Sequence, residues 1–522
     1  MMLLRGGTVI DGSAAPALRA DVLVRDGHVA AIGAGLDARG ARQVDVTGAV
    51  VCPGFVDIHT HSDLTLLANP DAPSKVHQGV TTEVVGNCGL GVAPLPAGCD
   101  RAAIRAAVSY LDLDPDVAWP WDDIDGYLAT LEKTPPSVNV ATLVPHLVLH
   151  AATVGFGDRA PGPAELDALC GLLADALDAG AAGLSTGLVY APLTFAREAE
   201  LDALAAVTAA RGKVFAWHVR SYDDDLVPSV RQAVDVARRT GCRTQISHLA
   251  AVGRRNWGTV RQALDLVDAA RAEGFDIGVD VYPYLHGNAP LAQLLPASVQ
   301  ENGLDPARLV DPAVRAEVRQ HWAHQPLGWA EITVSRVPDA APVTGHTIAE
   351  LAVIQARQPD EVALDLLAMY GTGVLIVAGG RSEDDLRTVL GHPATVVASD
   401  GLALDPHGVT GAGSPHPRSY GCFPRYLSRY AGADLPAAIA RCTSRPAAIA
   451  GLTDRGVLRP GAPADLVVLR PELIRDTADF AEPQRYPDGI DLVLVGGEPV
   501  VVNGTHTGAR PGSVLRVREG IR

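Results

Sequence analysis

Gly54-Phe55-Val56-Asp57-Ile58-His59-Thr60-His61 reads as a buried apolar strand that ends in two histidines one residue apart. Side chains alternate along a strand, so His59 and His61 project together while Ile58 and Thr60 face the other way. Two imidazoles converging at a strand end suit a divalent transition metal. The plainer alternative is a pair of strand-end histidines hydrogen-bonded to loops. The rest of the chain decides between the two.

Downstream, short apolar runs alternate with Ala/Leu/Arg-rich helical segments, the pattern of βα units around a parallel sheet. Eight runs fit: Phe55–His61, Thr81–Cys88, Val138–His146, Ala182–Gly187, Val214–Val219, Thr244–His248, Ile277–Tyr282 and Thr395–Ser399. Eight such strands predict an α/β protein built on a (β/α)8 TIM-type barrel, in which reactive side chains gather at the C-terminal strand ends. His59, His61, Cys88, His146, Ser185, His218, His248, Tyr282 and Asp400 fall there. Singly, each has an ordinary reading: His218 or His248 as a satisfied core histidine, Cys88 as an inert buried thiol, Asp400 as the opening of a turn. Four histidines, a cysteine and an aspartate together at the strand ends of one barrel fit a metal centre better.

Both ends of the chain have a different texture. Residues 3–34 read as short strands with turns at Asp11-Gly12 and Asp26-Gly27, and β-rich runs return at Ala464–Leu469, Leu492–Val495 and Pro499–Val502. Residues 1–54 and 456–522 are therefore expected to form one small β domain, with the barrel at 55–455 inserted between them. The stretch at about 285–345, rich in Pro, Gln and Trp, is longer than a βα connection needs and reads as a lid or side insertion. With 522 residues, 47% hydrophobic and 20% charged, the chain has the composition of a globular enzyme. A net charge of -17 argues against nucleic acid as a partner. No apolar run is long enough for a membrane span, and Arg5 interrupts any signal-like core, so a cytoplasmic protein with no membrane partner is expected. Seven cysteines in a chain this long do not make a disulfide framework.

Pro53 to His61 resembles the metal-binding opening of the amidohydrolase superfamily. The chain as a whole resembles its N-acyl-D-amino acid deacylase (D-aminoacylase) branch. The matches are Val85-Gly86-Asn87-Cys88-Gly89, Gly183-Leu184-Ser185-Thr186-Gly187-Leu188, Ile246-Ser247-His248, Asp280-Val281-Tyr282-Pro283-Tyr284, Ser399-Asp400-Gly401, His416-Pro417-Arg418 and the closing run Arg459–Val468. The resemblance implies one tight Zn2+ held by Cys88, His218 and His248, and a second, weaker divalent site at His59, His61 and Asp400. It implies hydrolysis of an N-acyl amide, most simply an N-acyl-D-amino acid, to a carboxylate and a free amine. Asp400 then takes a proton from the metal-activated water and returns it to the departing amine. Lysine-bridged relatives are a poorer match, since the chain has only Lys75, Lys133 and Lys213, and none lies on the fourth strand.

For the small-molecule substrate, the resemblance assigns the α-carboxylate to Arg418 and a tyrosine, Tyr282 or Tyr284. The branch's carboxylate-binding lysine is replaced by Ala250, with Arg254 or Arg255 as substitutes or as solvent-facing loop residues. His146 is either a second electrophile at the carbonyl or structural, and Ser185 completes the candidate substrate contacts. The alternatives are an amidohydrolase of another C–N bond (a cyclic amide, a D-configured dipeptide, a carboxylate-free amide) and a non-catalytic scaffold. The last is disfavoured because all six metal-ligand positions are filled. A homo-oligomer is compatible with the chain.

Overall fold

Strands that are apolar on both faces must be covered on both faces, and the eight runs meet that demand as one parallel sheet wrapped by helices. The computed structural model describes residues 1–37, 39–338 and 342–518. The barrel strands are β1 (Phe55–Asp57), β2 (Val80–Val85), β3 (Asn139–Pro145), β4 (Gly183–Gly187), β5 (Val214–His218), β6 (Arg243–Ile246), β7 (Ile277–Val281) and β8 (Thr395–Val397). They pair in the order β8-β7-β6-β5-β4-β3-β2-β1, each neighbouring pair parallel. All eight runs predicted from the sequence are present, most with shorter regular ends.

The barrel closes at one point. Regular pairing of β1 stops at Asp57, after which Thr60 N donates to Val84 O on one side (3.2 Å) and His61 N to Gly401 O on the other (2.9 Å). Asp400 N donates in return to His59 O at 2.8 Å. Between β1 and β8 themselves the join is made by side chains. Lys75 Nζ, fully buried, donates to Asp57 Oδ2 and Ser399 Oγ, each at 2.9 Å, and Asp57 Oδ1 accepts from Ser399 N at 2.8 Å.

Both chain ends build a nine-stranded mixed sheet. The join lies between Val50–Pro53 and Leu466–Leu469, antiparallel with Cys52 opposite Val467. Val50–Pro53 leads straight into β1, so this sheet fixes where the barrel begins. Between β7 and β8 the chain forms an insertion with its own core, including Leu309, Trp322, Val334, Leu367 and Ile376. Its three-stranded antiparallel sheet is Gly287–Pro290, Leu375–Ala378 and Ile332–Arg336, and its central strand comes from beyond residue 345. The two helices Ile348–Gln355 and Pro359–Tyr370 lie between the last two strands in sequence and pack into the same core. All seven cysteines are unpaired, and among the described residues no helix is long and apolar enough to cross a membrane.

Removing the Lys75 ammonium strands the Asp57 carboxylate in the interior. Lys75→Met is expected to lose about 3–5 kcal/mol of stability, seen as a clear fall in the thermal-unfolding midpoint. An unchanged midpoint would contradict the role given to this ion pair.

Candidate metal centre and its cavity

The strand ends are shaped before the chemistry begins. Cys88, His248 and Asp400 each sit just past a barrel strand with positive φ, at 56°, 34° and 52°. Non-glycine residues adopt this region at a cost and persist there when their surroundings hold them. For Cys88 the hold is explicit: Ser185 Oγ accepts from Gly89 N (2.9 Å) and donates to Gly86 O, while Asn87 Nδ2 donates to Val84 O (2.9 Å) and Ile58 O (3.2 Å). Gly187 lets this turn approach, since a Cβ there would lie 2.0 Å from Cys88 O. For His248, the backbone N donates to Asp280 Oδ1 at 2.8 Å, and Gln245 Nε2 donates to Asp280 Oδ2 at 3.2 Å.

Of the three groups of buried donor atoms that lie within 4.8 Å internally among the described residues, one is His146, His150 and Glu200, and two adjoin: His59, His61, Cys88 and Asp400, and then Cys88, His218 and His248. Cys88 belongs to both. Its Sγ lies 3.2 Å from His59 Nε2 and 3.4 Å from His248 Nε2. Asp400 Oδ1 is 3.0 Å from His61 Nε2 and 3.3 Å from His59 Nε2. His59 Nδ1 rests 3.2 Å from Asp280 Oδ1, the type of carboxylate contact that orients a ligating imidazole.

Burial pushes His61 down to about 4 and His218 down to about 3, so both rings are neutral and able to ligate. Burial pushes the Cys88 thiol up to about 11 although His59 stands beside it. Asp400 stays well below the usual carboxylate range: burial would raise it, but the Arg418 guanidinium and then His59 outweigh that. Both ring nitrogens of His218 are buried without any hydrogen-bond partner, as is His61 Nδ1. Leaving a buried polar atom unpaired costs about 1–3 kcal/mol. A thiolate with two neutral imidazoles is a zinc donor set, and an ion between Cys88, His218 and His248 would engage the orphaned ring. The residues fit the metal.

These ligands floor a cavity of about 530 Å³. The insertion supplies much of its wall, including Leu294, Leu295, Leu327 and Ile376. Tyr282 lines it. Of the other expected substrate contacts, Arg255 alone also lines it. Arg418 is 1% exposed and donates to Asp400 Oδ2 (2.7 Å) and Tyr110 OH (3.2 Å), with its guanidinium carbon 4.5 Å from the Tyr282 ring centroid. Asp400 and Tyr110 thus occupy the guanidinium expected to meet a substrate carboxylate. Tyr284 is buried outside the cavity with its OH 3.5 Å from Pro417 O. Arg254 lies over Trp257 at 5.3 Å, and Arg255, which does line the cavity, is held by Asp224 at 2.7 and 2.8 Å. Ser185 is committed to the Cys88 turn. His146 has Thr186 Oγ1 at 2.9 Å and Glu200 Oε1 at 2.8 Å, and His150 reaches the same carboxylate at 2.7 Å, so it belongs to a separate buried network. Ala250 is buried and lies outside this cavity.

The cavity also holds a cation that the sequence reading passed over. Arg381 lines it with Nε and Nη1 buried and unpartnered, its guanidinium carbon 4.8 Å from the Tyr282 ring centroid. The available signal was Gly379-Gly380-Arg381 directly after the apolar run Val374–Ala378, a strand followed by a turn that presents a side chain.

The amidohydrolase family profile matches residues 42–501. The chain is 36% identical to N-acyl-D-glutamate deacylase of Alcaligenes xylosoxydans xylosoxydans, covering 99% of this chain and 96% of the relative. It is 34% identical to D-aminoacylase of the same organism, covering 98% and 97%. The crystal structure of N-acyl-D-glutamate deacylase from Bordetella bronchiseptica, complexed with zinc and a phosphonate inhibitor mimicking the tetrahedral intermediate, superposes with a TM-score of 0.83. Sequence identity to it is 35%, and 99% of each chain is covered.

Asp280 touches both donor groups, through His59 Nδ1 and through the His248 backbone. Asp280→Ala is expected to weaken divalent-metal affinity about 10–100-fold in a chelator-competition titration. An affinity equal to that of the unaltered protein would contradict the orienting role.

Proposed function

The chain belongs to the N-acyl-D-amino acid deacylase (D-aminoacylase) family of amidohydrolases, and from that premise we propose that it hydrolyses N-acyl-D-amino acids to a carboxylate and a free D-amino acid. The observation that carries the reading is the buried Cys88–His218–His248 donor set with its orphaned imidazole, opening onto a cavity that holds one unpartnered guanidinium. We assign Cys88, His218 and His248 to a tight zinc, and His59, His61 and Asp400, with Cys88 shared, to a second, weaker divalent site. When bound, the zinc supplies a Lewis acid that activates water and polarises the amide carbonyl.

The chain's own residues do the rest. Arg381 receives the substrate α-carboxylate, its planar fork matching the two oxygens, with Tyr282 alongside. This anchors the amide over the strand ends and takes the place of the missing lysine at Ala250. Arg418 ties Asp400 Oδ2 and fixes the carboxylate plane, leaving Oδ1 beside His61 to carry the proton. Asp400 Oδ1 accepts the proton of the attacking water and delivers it to the leaving nitrogen, which departs as a neutral amine. The insertion's apolar wall limits the water that reaches the reacting atoms.

Asp400→Asn keeps the shape of the side chain and loses its basicity. It is expected to retain tightly bound zinc while kcat falls about 10²–10⁴-fold, measured by amine release alongside metal analysis; near-normal turnover would remove Asp400 from the proton path. Cys88→Ala is expected to lose both zinc and activity, and full metal content in that variant would refute the ligand assignment. Arg381→Gln is expected to raise KM for N-acyl-D-amino acids far more than for their carboxamides, and an equal effect on both would overturn the carboxylate assignment.

A further inference from the structure

The cavity's charge inventory bears on the side chain of the substrate. Six residues of ordinary acidic or basic type line it besides the histidines and Cys88: Arg220, Arg255, Arg381, Asp223, Asp224 and Asp400. Arg255 is held by Asp224 and by His324 O at 2.8 Å. Arg220 donates to Thr194 O (3.0 Å), Ala196 O (2.5 Å) and Gln232 Oε1 (2.9 Å). Among the described residues, Arg381 is therefore the one lining arginine with buried unpartnered nitrogens. None of the three lysines lines the cavity, and His321 and His324 are exposed at its rim.

The remaining wall is uncharged. Leu294, Leu295, Leu327 and Ile376 give it an apolar surface, and the side-chain oxygens it contributes from the insertion without partners belong to amides, Gln293 and Gln325. Asp223, at the same mouth, accepts from Ser221 Oγ and adds a negative charge to the lining. One carboxylate has a partner here and another does not. A carboxylate taken from water into such a wall loses its hydration without gaining a counter-charge.

We propose that this cavity selects N-acyl-D-amino acids with uncharged side chains, laid against the Leu294–Leu295–Leu327–Ile376 wall, and excludes D-glutamate and D-aspartate derivatives. The inference rests on the deacylase reading and goes beyond it, since a full-length relative is an N-acyl-D-glutamate deacylase and this chain departs from that preference.

The sharpest comparison is isosteric. N-acetyl-D-glutamine and N-acetyl-D-glutamate differ by little except charge, and zinc-loaded enzyme is expected to turn over the former with a kcat/KM at least about 100-fold higher. N-acetyl-D-leucine should resemble the glutamine derivative. Gln293→Arg places a cation in the wall without removing apolar packing, and is expected to narrow the glutamine-to-glutamate ratio by at least about tenfold. Glutamate turned over as well as glutamine by the unaltered enzyme overturns this proposal and leaves the deacylase reading standing. Failure to turn over any of the D-acids overturns both. An unchanged ratio in Gln293→Arg, with leucine turnover retained, overturns the placement of the side chain at this wall.

Discussion

The pair of hydrogen bonds between the ends of the first and last barrel strands, Asp400 N to His59 O and His61 N to Gly401 O, is the constraint on which the rest of the site depends. A parallel barrel must join its first strand to its last, and here the backbone join falls on the residues whose side chains meet at the metal centre. Closing the fold therefore also sets the spacing of His59, His61 and Asp400. Below the join, the Lys75–Asp57–Ser399 contacts hold β1 against β8 where regular pairing lapses. A site built across a seam would drift if the seam breathed, and a buried ion pair is a stiff way to prevent that.

A second constraint is the shared thiol. Cys88 lies within reach of both donor groups, and its turn is fixed by Ser185, Asn87 and the bare Cα of Gly187. Its positive φ, with those of His248 and Asp400, places three of six candidate ligands in backbone conformations that L-residues avoid. Strain is thus collected at the strand ends that the chemistry uses. The insertion contributes differently: it has its own core and lends the cavity an apolar wall and Arg381, so most of the proposed substrate contacts and the candidate metal ligands come from separate pieces of the fold.

Much of this was legible in the sequence because parallel barrel strands are apolar on both faces and stand out as continuous runs. All eight were found, and the polar residues that end them include the six candidate ligands, which the family resemblance set apart from His146, Ser185 and Tyr282. What was illegible depends on pairing distant in sequence. Arg418 is held between Asp400 and Tyr110, the latter 308 residues away in sequence, so its withdrawal from the cavity leaves no trace in the local pattern. His146 ends a strand as a reactive residue would, yet Glu200 and Thr186 hold it. Arg381 follows a strand of the insertion, whose antiparallel sheet takes its centre from Leu375–Ala378, well past the stretch that composition marks as irregular. A rule built on barrel strand ends could not reach it.

The most direct test of the central claim is zinc K-edge X-ray absorption on the purified protein carrying one equivalent of zinc. The account predicts one sulfur scatterer at about 2.3 Å with nitrogen or oxygen neighbours at about 2.0–2.1 Å, two of them imidazole. A first shell without sulfur would place the metal away from Cys88 and contradict the assignment on which the site, its cavity and its chemistry have been built.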